Sequence, residues 1–336
     1  MIRIRALGLP TMWGALAITY KLFCPLAQQT SLGARIVTSA VFFVVGTGLV
    51  LHVRRTLLRE LRQARKVAGA AQSALLRPLP PRIDGLNVAA AQLSADRGSS
   101  LGGDLYEVIA TEHGVRVVMG DVRGHGLDAL GTVAAVLGSF REAVHDEPDL
   151  GRVLHRLDRA LARHLRERPS AERTEEFVTV LLLEIGRDGE VRALNCGHPW
   201  PYRLRDSAVE PLTRAEPLPP LGPFPLPAEL SAVRHGELGP GDALFLFTDG
   251  AEDARDGHGR FFPLADVLTE AAREGTHSPQ ALLGSVFTRL LRHTSGTLPD
   301  DVALLILRNE RQSRRSSGRR ATARPATMHP QPTTRR

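Results

Sequence analysis

Four short acidic stretches define the chemistry this sequence is equipped for. They are Gly102-Gly103-Asp104, Gly120-Asp121-Val122-Arg123-Gly124-His125-Gly126, Thr248-Asp249-Gly250 and Asp300-Asp301. Each carboxylate stands at the seam between turn residues and an apolar run. Val115 to Met119 precedes Asp121, Ala243 to Phe247 precedes Asp249, and Val302 to Leu307 follows Asp301. A lone acidic turn residue is most often structural. Four at strand ends can share one rim of a sheet, where like charges repel and cations relieve the repulsion. Oxygen-only donors suit Mg2+ or Mn2+ better than zinc. The glycines let the backbone turn sharply and come close to a bound group.

The elements that must position these stretches follow from periodicity. Leu86 to Leu93 alternates as a strand, Leu105, Val108 and Ile109 open another, and Val115 to Met119 reads as a short buried one. After the glycine-rich turn the apolar spacing becomes helical through Leu127, Leu130, Val133, Ala134, Leu137 and Phe140, which predicts helices over 127–144 and 150–167. Phe177 to Ile185 and Val191 to Asn195 read as a hairpin around Asp188-Gly189. Pro199 to Pro227, which contains PLPPLGPFPLP, is expected as extended loop over the rim. Strands at 243–247 and 302–307 and helices near 263–273 and 279–293 complete the domain. Strands and helices are segregated rather than alternating, which argues for an α+β fold.

In their order GGDLYEV, GDVRGHG, FTDG and DDVALL, the motifs resemble the metal-dependent serine/threonine phosphatases of the type 2C or PPM family, in its bacterial SpoIIE-type branch. The resemblance covers roughly Ser73 to Arg308. It implies a four-layer α-β-β-α sandwich of two antiparallel sheets, with two divalent cations, Mn2+ or Mg2+, at one edge. It implies Asp121 as the ligand bridging both ions and the carbonyl of Val122 in the place usually given to glycine. Asp104, Asp249 and Asp300 are the implied further ligands, with Asp301 in support and the reverse order of that pair left open. Eukaryotic-type members carry a histidine two residues after the bridging aspartate; here Arg123 stands there and His125 follows two residues later. Arg123 is expected to steady a phosphate as a fork donor, and His125 to protonate the leaving oxygen. The alternative for both is a solvent-exposed turn side chain. Glu107 replaces an aspartate common in the branch. Asn195-Cys196-Gly197-His198 resembles the branch's GH-containing turn, and Cys196 with His198 lacks two further ligands for zinc. The implied substrates are phosphoserine or phosphothreonine proteins, typically phosphorylated STAS-type anti-anti-sigma factors of a partner-switching pathway. A membrane-tethered, non-catalytic scaffold that binds a signalling partner is the alternative.

Residues 1–53 are apolar with few charges. Ile36 to Val53 is just long enough to cross a bilayer, and an earlier run from Ala6 to Leu26 is interrupted by Lys21. Arg3 and Arg5 precede the first run; Arg54, Arg55, Arg59, Arg62, Arg65 and Lys66 follow the second. The positive-inside rule then predicts a transmembrane hairpin with both ends, and the catalytic domain, in the cytoplasm. A single span or a signal peptide are the alternatives, and no A-x-A-like site supports the latter. Residues 54–76 form an amphipathic helical linker that pairs as a homodimer and relays a signal, or serves as a passive spacer. The phosphatase domain is expected over 77–308, after Arg77-Pro78 ends the helix.

The net charge of +7 would suit a nucleic-acid binder, but Lys+Arg minus Asp+Glu over 67–307 is −10 and over 308–336 is +8. The acidic domain suits cation binding and counts against nucleic acid. Residues 309–336 are basic and almost free of apolar side chains, the composition of a disordered tail. The two cysteines, Cys24 and Cys196, imply no disulfide framework.

Overall fold

The computed structural model describes residues 12–15, 18–20, 23, 32–93, 102–124, 127–167, 176–274, 278–296, 298 and 300–311. Helix α1 spans Leu32–Leu75 without a break at residue 53, so the expected membrane segment and linker are one rod. No proline lies between Pro25 and Pro78 to interrupt it. Its segment Ile36–Glu60 is 25 residues and contains an 18-residue stretch with a mean hydropathy of 2.1, long and apolar enough to cross a membrane. Among the described residues it is the one such helix. Most of the first apolar run, expected as a second span, lies outside the described residues. Its described part touches α1, with the rings of Trp13 and Tyr20 each 5.4 Å from Phe42.

Eleven strands follow among the described residues: β1 Arg82–Ile83, β2 Leu86–Leu93, β3 Asp104–Thr111, β4 Gly114–Val122, β5 Val178–Ile185, β6 Glu190–Cys196, β7 Tyr202–Arg205, β8 Ala208–Pro211, β9 Val233–Glu237, β10 Ala243–Phe247 and β11 Val302–Asn309. One sheet has the order β1-β2-β11-β10-β7-β8 and the other β3-β4-β5-β6-β9. Every paired strand is antiparallel. Helices α2 (Leu127–Asp146) and α3 (Leu150–Arg166) bury Phe140, Leu154 and Leu157 against Val118, Val122 and Leu182 of the five-stranded sheet. Helices α4 (Leu264–Arg273) and α5 (Pro279–His293) do the same against Phe245, Phe247 and Leu304 of the six-stranded one. Val117, Met119, Leu181, Leu244, Leu246 and Leu305 fill the space between the sheets. The layers are therefore α-β-β-α. Both faces of β4 are covered, which is why Val115, Val117, Val118 and Met119 are apolar on both sides of the strand.

The proline-rich stretch departs from expectation. Pro199 to Pro227 is not all loop, because β7 and β8 form a hairpin turning at Asp206, which has a φ of 53°. Leu218 and Leu221 add isolated bridges to Cys196 and Val178. Prolines are tolerated on such edge pairings because few ladder N–H groups are needed there. Strand β9, with the sequence VRHGE, also escapes periodicity, being an exposed edge with little apolar content.

Arg116 of β4 is fully buried. Its Nε donates to Glu184 at 2.8 Å, and its Nη atoms donate to the carbonyls of Val144 (2.9 Å), Glu147 (2.6 Å) and Pro148 (2.8 Å). The guanidinium thus satisfies one carbonyl of the last turn of α2, at Val144, and two in the chain just beyond the helix, at Glu147 and Pro148. Arg116→Met would strand Glu184 and three carbonyls in the core. Urea denaturation should show a loss of about 3–5 kcal/mol, and a loss below about 1 kcal/mol would contradict the clamp.

Candidate active site

The pairing of β3 with β4 sets Asp104 directly opposite Asp121, and β5 sets Thr179 on Asp121's other side. These residues share the strand parity of Tyr106, Met119 and Leu181, which face the space between the sheets. From the six-stranded sheet, β10 ends at Phe247 and β11 begins at Val302, which brings Thr248, Asp249, Asp300 and Asp301 to the same rim. Thr248 ties the halves together. Its hydroxyl donates to Asp104 Oδ2 at 3.1 Å and accepts the N–H of Ala303 at 2.9 Å.

The glycines of the motifs are required by space. A Cβ on Gly103 would fall 2.3 Å from the Val122 carbonyl oxygen and 2.7 Å from Asp121 Oδ1. One on Gly102 would fall 2.6 Å from Asp301 Oδ2. The Asp121 carboxylate and the Val122 carbonyl therefore lie together against a backbone ledge without side chains.

The electrostatics follow from this crowding. Burial, then the charges of Asp249, Asp300 and Asp301, push the Asp121 carboxyl up to about 8. Burial and the charges of Asp121 and Asp301 hold Asp104 well above the usual carboxylate range, against the lowering effect of Thr248. Asp249 is raised by burial and by Asp300 and Asp253. The charges acting on these three groups are all carboxylates. A rim of hard oxygen donors whose anionic forms are penalised by one another fits a hard divalent cation. Among the described residues, no three His, Cys, Asp or Glu side chains already enclose a common point. The site is an open rim of acids, not a closed coordination cage.

Asp104, Asp121, Val122, Asp249 and Asp300 are thus brought to one edge, as the motifs suggest. Asp301 is buried and acts on both Asp104 and Asp121, whereas Asp300 is exposed and acts on Asp121 and Asp249. Arg123 is exposed at the rim; its N–H donates to the Phe177 carbonyl at 2.9 Å and its guanidinium lies 5.4 Å from the Phe177 ring. His125 lies outside the described residues. Cys196 is buried, its thiol pushed up to about 12 by burial.

Sequence reasoning assigned no role to three residues that the structure ties to these elements. Thr248 stands beside a residue that was singled out, but its link to Asp104 spans 144 positions. Glu107 accepts from Arg141 Nε at 2.9 Å, and Arg141 Nη2 donates to the carbonyl of Leu75, the last residue of α1, at 2.6 Å. Thr179 is visible only once the register of β4 and β5 is known.

The sequence pattern of the family described as Stage II sporulation protein E (SpoIIE) matches residues 111–310, more than half of the chain. The chain belongs to the SpoIIE family. Over 201 residues it is 28% identical to the phosphoserine phosphatase RsbP of Bacillus subtilis (strain 168), covering 58% of this chain. The chain spans 45% of that relative's length. The fold is shared with the SiaA-PP2C domain of Pseudomonas aeruginosa, with a TM-score of 0.58 and 20% identity, over 76% of this chain and 98% of that one. The RsbU and RsbW domains of Rv1364c from Mycobacterium tuberculosis align with a TM-score of 0.53 and 25% identity, over 67% of this chain and 60% of that one. This SpoIIE-family chain therefore has the PP2C fold, with its acidic rim at one end of the two sheets.

Proposed function

We propose that this chain is a protein-serine/threonine phosphatase that uses two divalent cations, Mn2+ or Mg2+. Its substrate is a phosphorylated regulatory protein of the STAS anti-anti-sigma type. The observation that carries the reading is the convergence of Asp104, Asp121, Asp249 and the Asp300-Asp301 pair, from two sheets, on one rim. Similarity to a phosphoserine phosphatase supports it.

Divalent cations held by the rim would supply an activated water and neutralise the phosphoryl oxygens. The chain's own residues prepare that place. Asp121 and the Val122 carbonyl present adjacent oxygens on the Gly103 ledge, and Thr248 fixes the rotamer of Asp104. Asp249 and Asp300 complete the donor set from the opposite sheet. Arg123, backed by the Phe177 ring, meets phosphate oxygens at the rim. His125, two residues on, protonates the leaving oxygen.

The apolar segment of α1 anchors the chain in the cytoplasmic membrane, with Arg54, Arg55 and Arg59 on the cytoplasmic side. The end of α1 reaches β3 through Arg141 and Glu107, three residues from Asp104 and on the helix-covered face of the strand. Pairing of two α1 helices is thereby relayed to the metal rim. Arg141→Leu in the full chain should uncouple activity from the membrane anchor. Wild-type and variant proteins showing the same ratio of nanodisc to detergent activity would sink the relay.

The primary test is Mn2+- or Mg2+-dependent phosphate release from a phosphoserine protein by the full chain in detergent. Metal-dependent turnover is expected. Metal binding without turnover would shift the reading to a non-catalytic scaffold.

A further inference from the structure

Behind Asp121, between the two sheets, sits a buried imidazole that the proposed chemistry leaves without a role. His198 lies two residues past the end of β6 and is 3% exposed. Its backbone is clamped on both sides by Asn195, whose Oδ1 accepts the His198 N–H and whose Nδ2 donates to the His198 carbonyl, each at 2.8 Å. The ring is held by Thr179, whose Oγ1 lies 3.1 Å from Nδ1. The same hydroxyl oxygen accepts the backbone N–H of Asp121 at 3.2 Å. Nε2 is buried and closes no hydrogen bond, while the Phe247 backbone lies near the ring and favours its protonation slightly.

Burial pushes the His198 ring down to about 3, so it is neutral and carries one N–H and one lone pair. Thr179 has a single proton to give. Two acceptors face that proton, the Asp121 carbonyl at 3.5 Å and His198 Nδ1 at 3.1 Å; the shorter contact takes it at the Nδ1 lone pair, which leaves the ring proton on Nε2, facing β10. The result is a directed chain: Asp121 N–H to Thr179 Oγ1–H to His198 Nδ1. It ends beside Phe247, the residue immediately before Thr248-Asp249. One end fixes the backbone of the central rim carboxylate in the five-stranded sheet. The other reaches the strand that delivers Asp249 from the six-stranded sheet.

We propose that His198, acting through Thr179, is a positioning residue that sets the backbone of Asp121 and the spacing between the two halves of the cation-binding rim. This rests on the metal-site reading above. Groups behind metal ligands commonly govern affinity by orienting them, with losses of about 10–100-fold when removed. The Thr179–His198 pair acts one step further back, on the backbone that carries the ligand.

The test is isothermal titration of Mn2+ alone into the full chain in detergent, beside urea denaturation of the metal-free protein. Thr179→Val keeps the shape and removes the hydroxyl; His198→Ala removes the ring. Both are expected to weaken Mn2+ binding by about 10-fold or more. Thr179→Ser and His198→Asn each keep the needed group, since Asn Oδ1 reaches the place of Nδ1, and should stay within about threefold of wild type. A Thr179→Val or His198→Ala protein that loses stability but binds Mn2+ as tightly as wild type would reduce the pair to packing and overturn the proposal. So would His198→Asn binding as weakly as His198→Ala. A wild-type chain that binds no Mn2+ would remove the metal-site reading itself, and this inference with it.

Discussion

Asp121→Asn should lower metal-dependent phosphate release by at least about 10³-fold while making the metal-free protein more stable at pH 8. The two effects have one origin. In the folded chain, burial and the charges of Asp249, Asp300 and Asp301 raise the Asp121 carboxyl to about 8, whereas an unfolded aspartate ionises near about 3.9. Between those values the folded state keeps a proton that the unfolded state has released. Stability of the metal-free wild type therefore falls as pH rises from about 4 to about 8, and the full penalty persists above that. Asparagine never ionises. The difference in melting temperature between variant and wild type should be near zero at pH 4 and widest above pH 8, on the order of 5 °C. Added Mn2+ reverses the order, because a cation that binds only the folded wild type stabilises it by mass action. Thermal scans from pH 4 to 9, with and without Mn2+, read all of this. An asparagine variant that melts below wild type at pH 8 without metal, or that keeps its turnover, would remove Asp121 from the centre of the site.

What the sequence made legible was local. Val115 to Met119 followed by a glycine-rich turn and a helical period is a strand, turn and helix in any context, and β4 and α2 formed as read. The Asp188-Gly189 hairpin was equally plain, since Gly189 takes a φ of 92° at the turn. The acids at strand ends were visible because turn chemistry and apolar runs mark strand ends. The pairings between strands were not visible. Nothing near Thr179 announces that it stands across from Asp121, and nothing near Glu107 announces Arg141, because both contacts are made by register and layer packing. Edge strands fail for a different reason. β8 and β9 are exposed edges with little apolar content, so periodicity has nothing to report. The fusion of membrane segment and linker into one 44-residue helix was hidden by the change from apolar to basic composition at Arg54, which alters the surroundings of a helix without ending it.

Gly103→Ala should cost nearly as much activity as loss of the carboxylate itself, at least about 10²-fold, although it removes no functional group. Gly103 is not in a left-handed conformation, so the reason is space alone. An added Cβ would meet the Val122 carbonyl oxygen at 2.3 Å and Asp121 Oδ1 at 2.7 Å. The first neighbour is backbone inside the β4–β5 ladder, whose pairing runs through Val122 and Val178. It cannot swing aside as a flexible side chain would, so the ledge must move and take two oxygens of the rim with it. A shift of about 1 Å in a preorganised site is enough to cost two orders of magnitude in rate. Gly138→Ala is the matched control. Gly138 lies within α2 with nothing within 4 Å of its missing Cβ, so alanine there should leave activity unchanged and add about 0.5–1 kcal/mol of stability through helix propensity. Equal activity in the two variants would mean that the ledge at Gly103 does not shape the rim. A selective loss at Gly103, with weakened Mn2+ binding and an intact fold, would show that the double glycine before Asp104 exists to let one strand end lie against the oxygens of another.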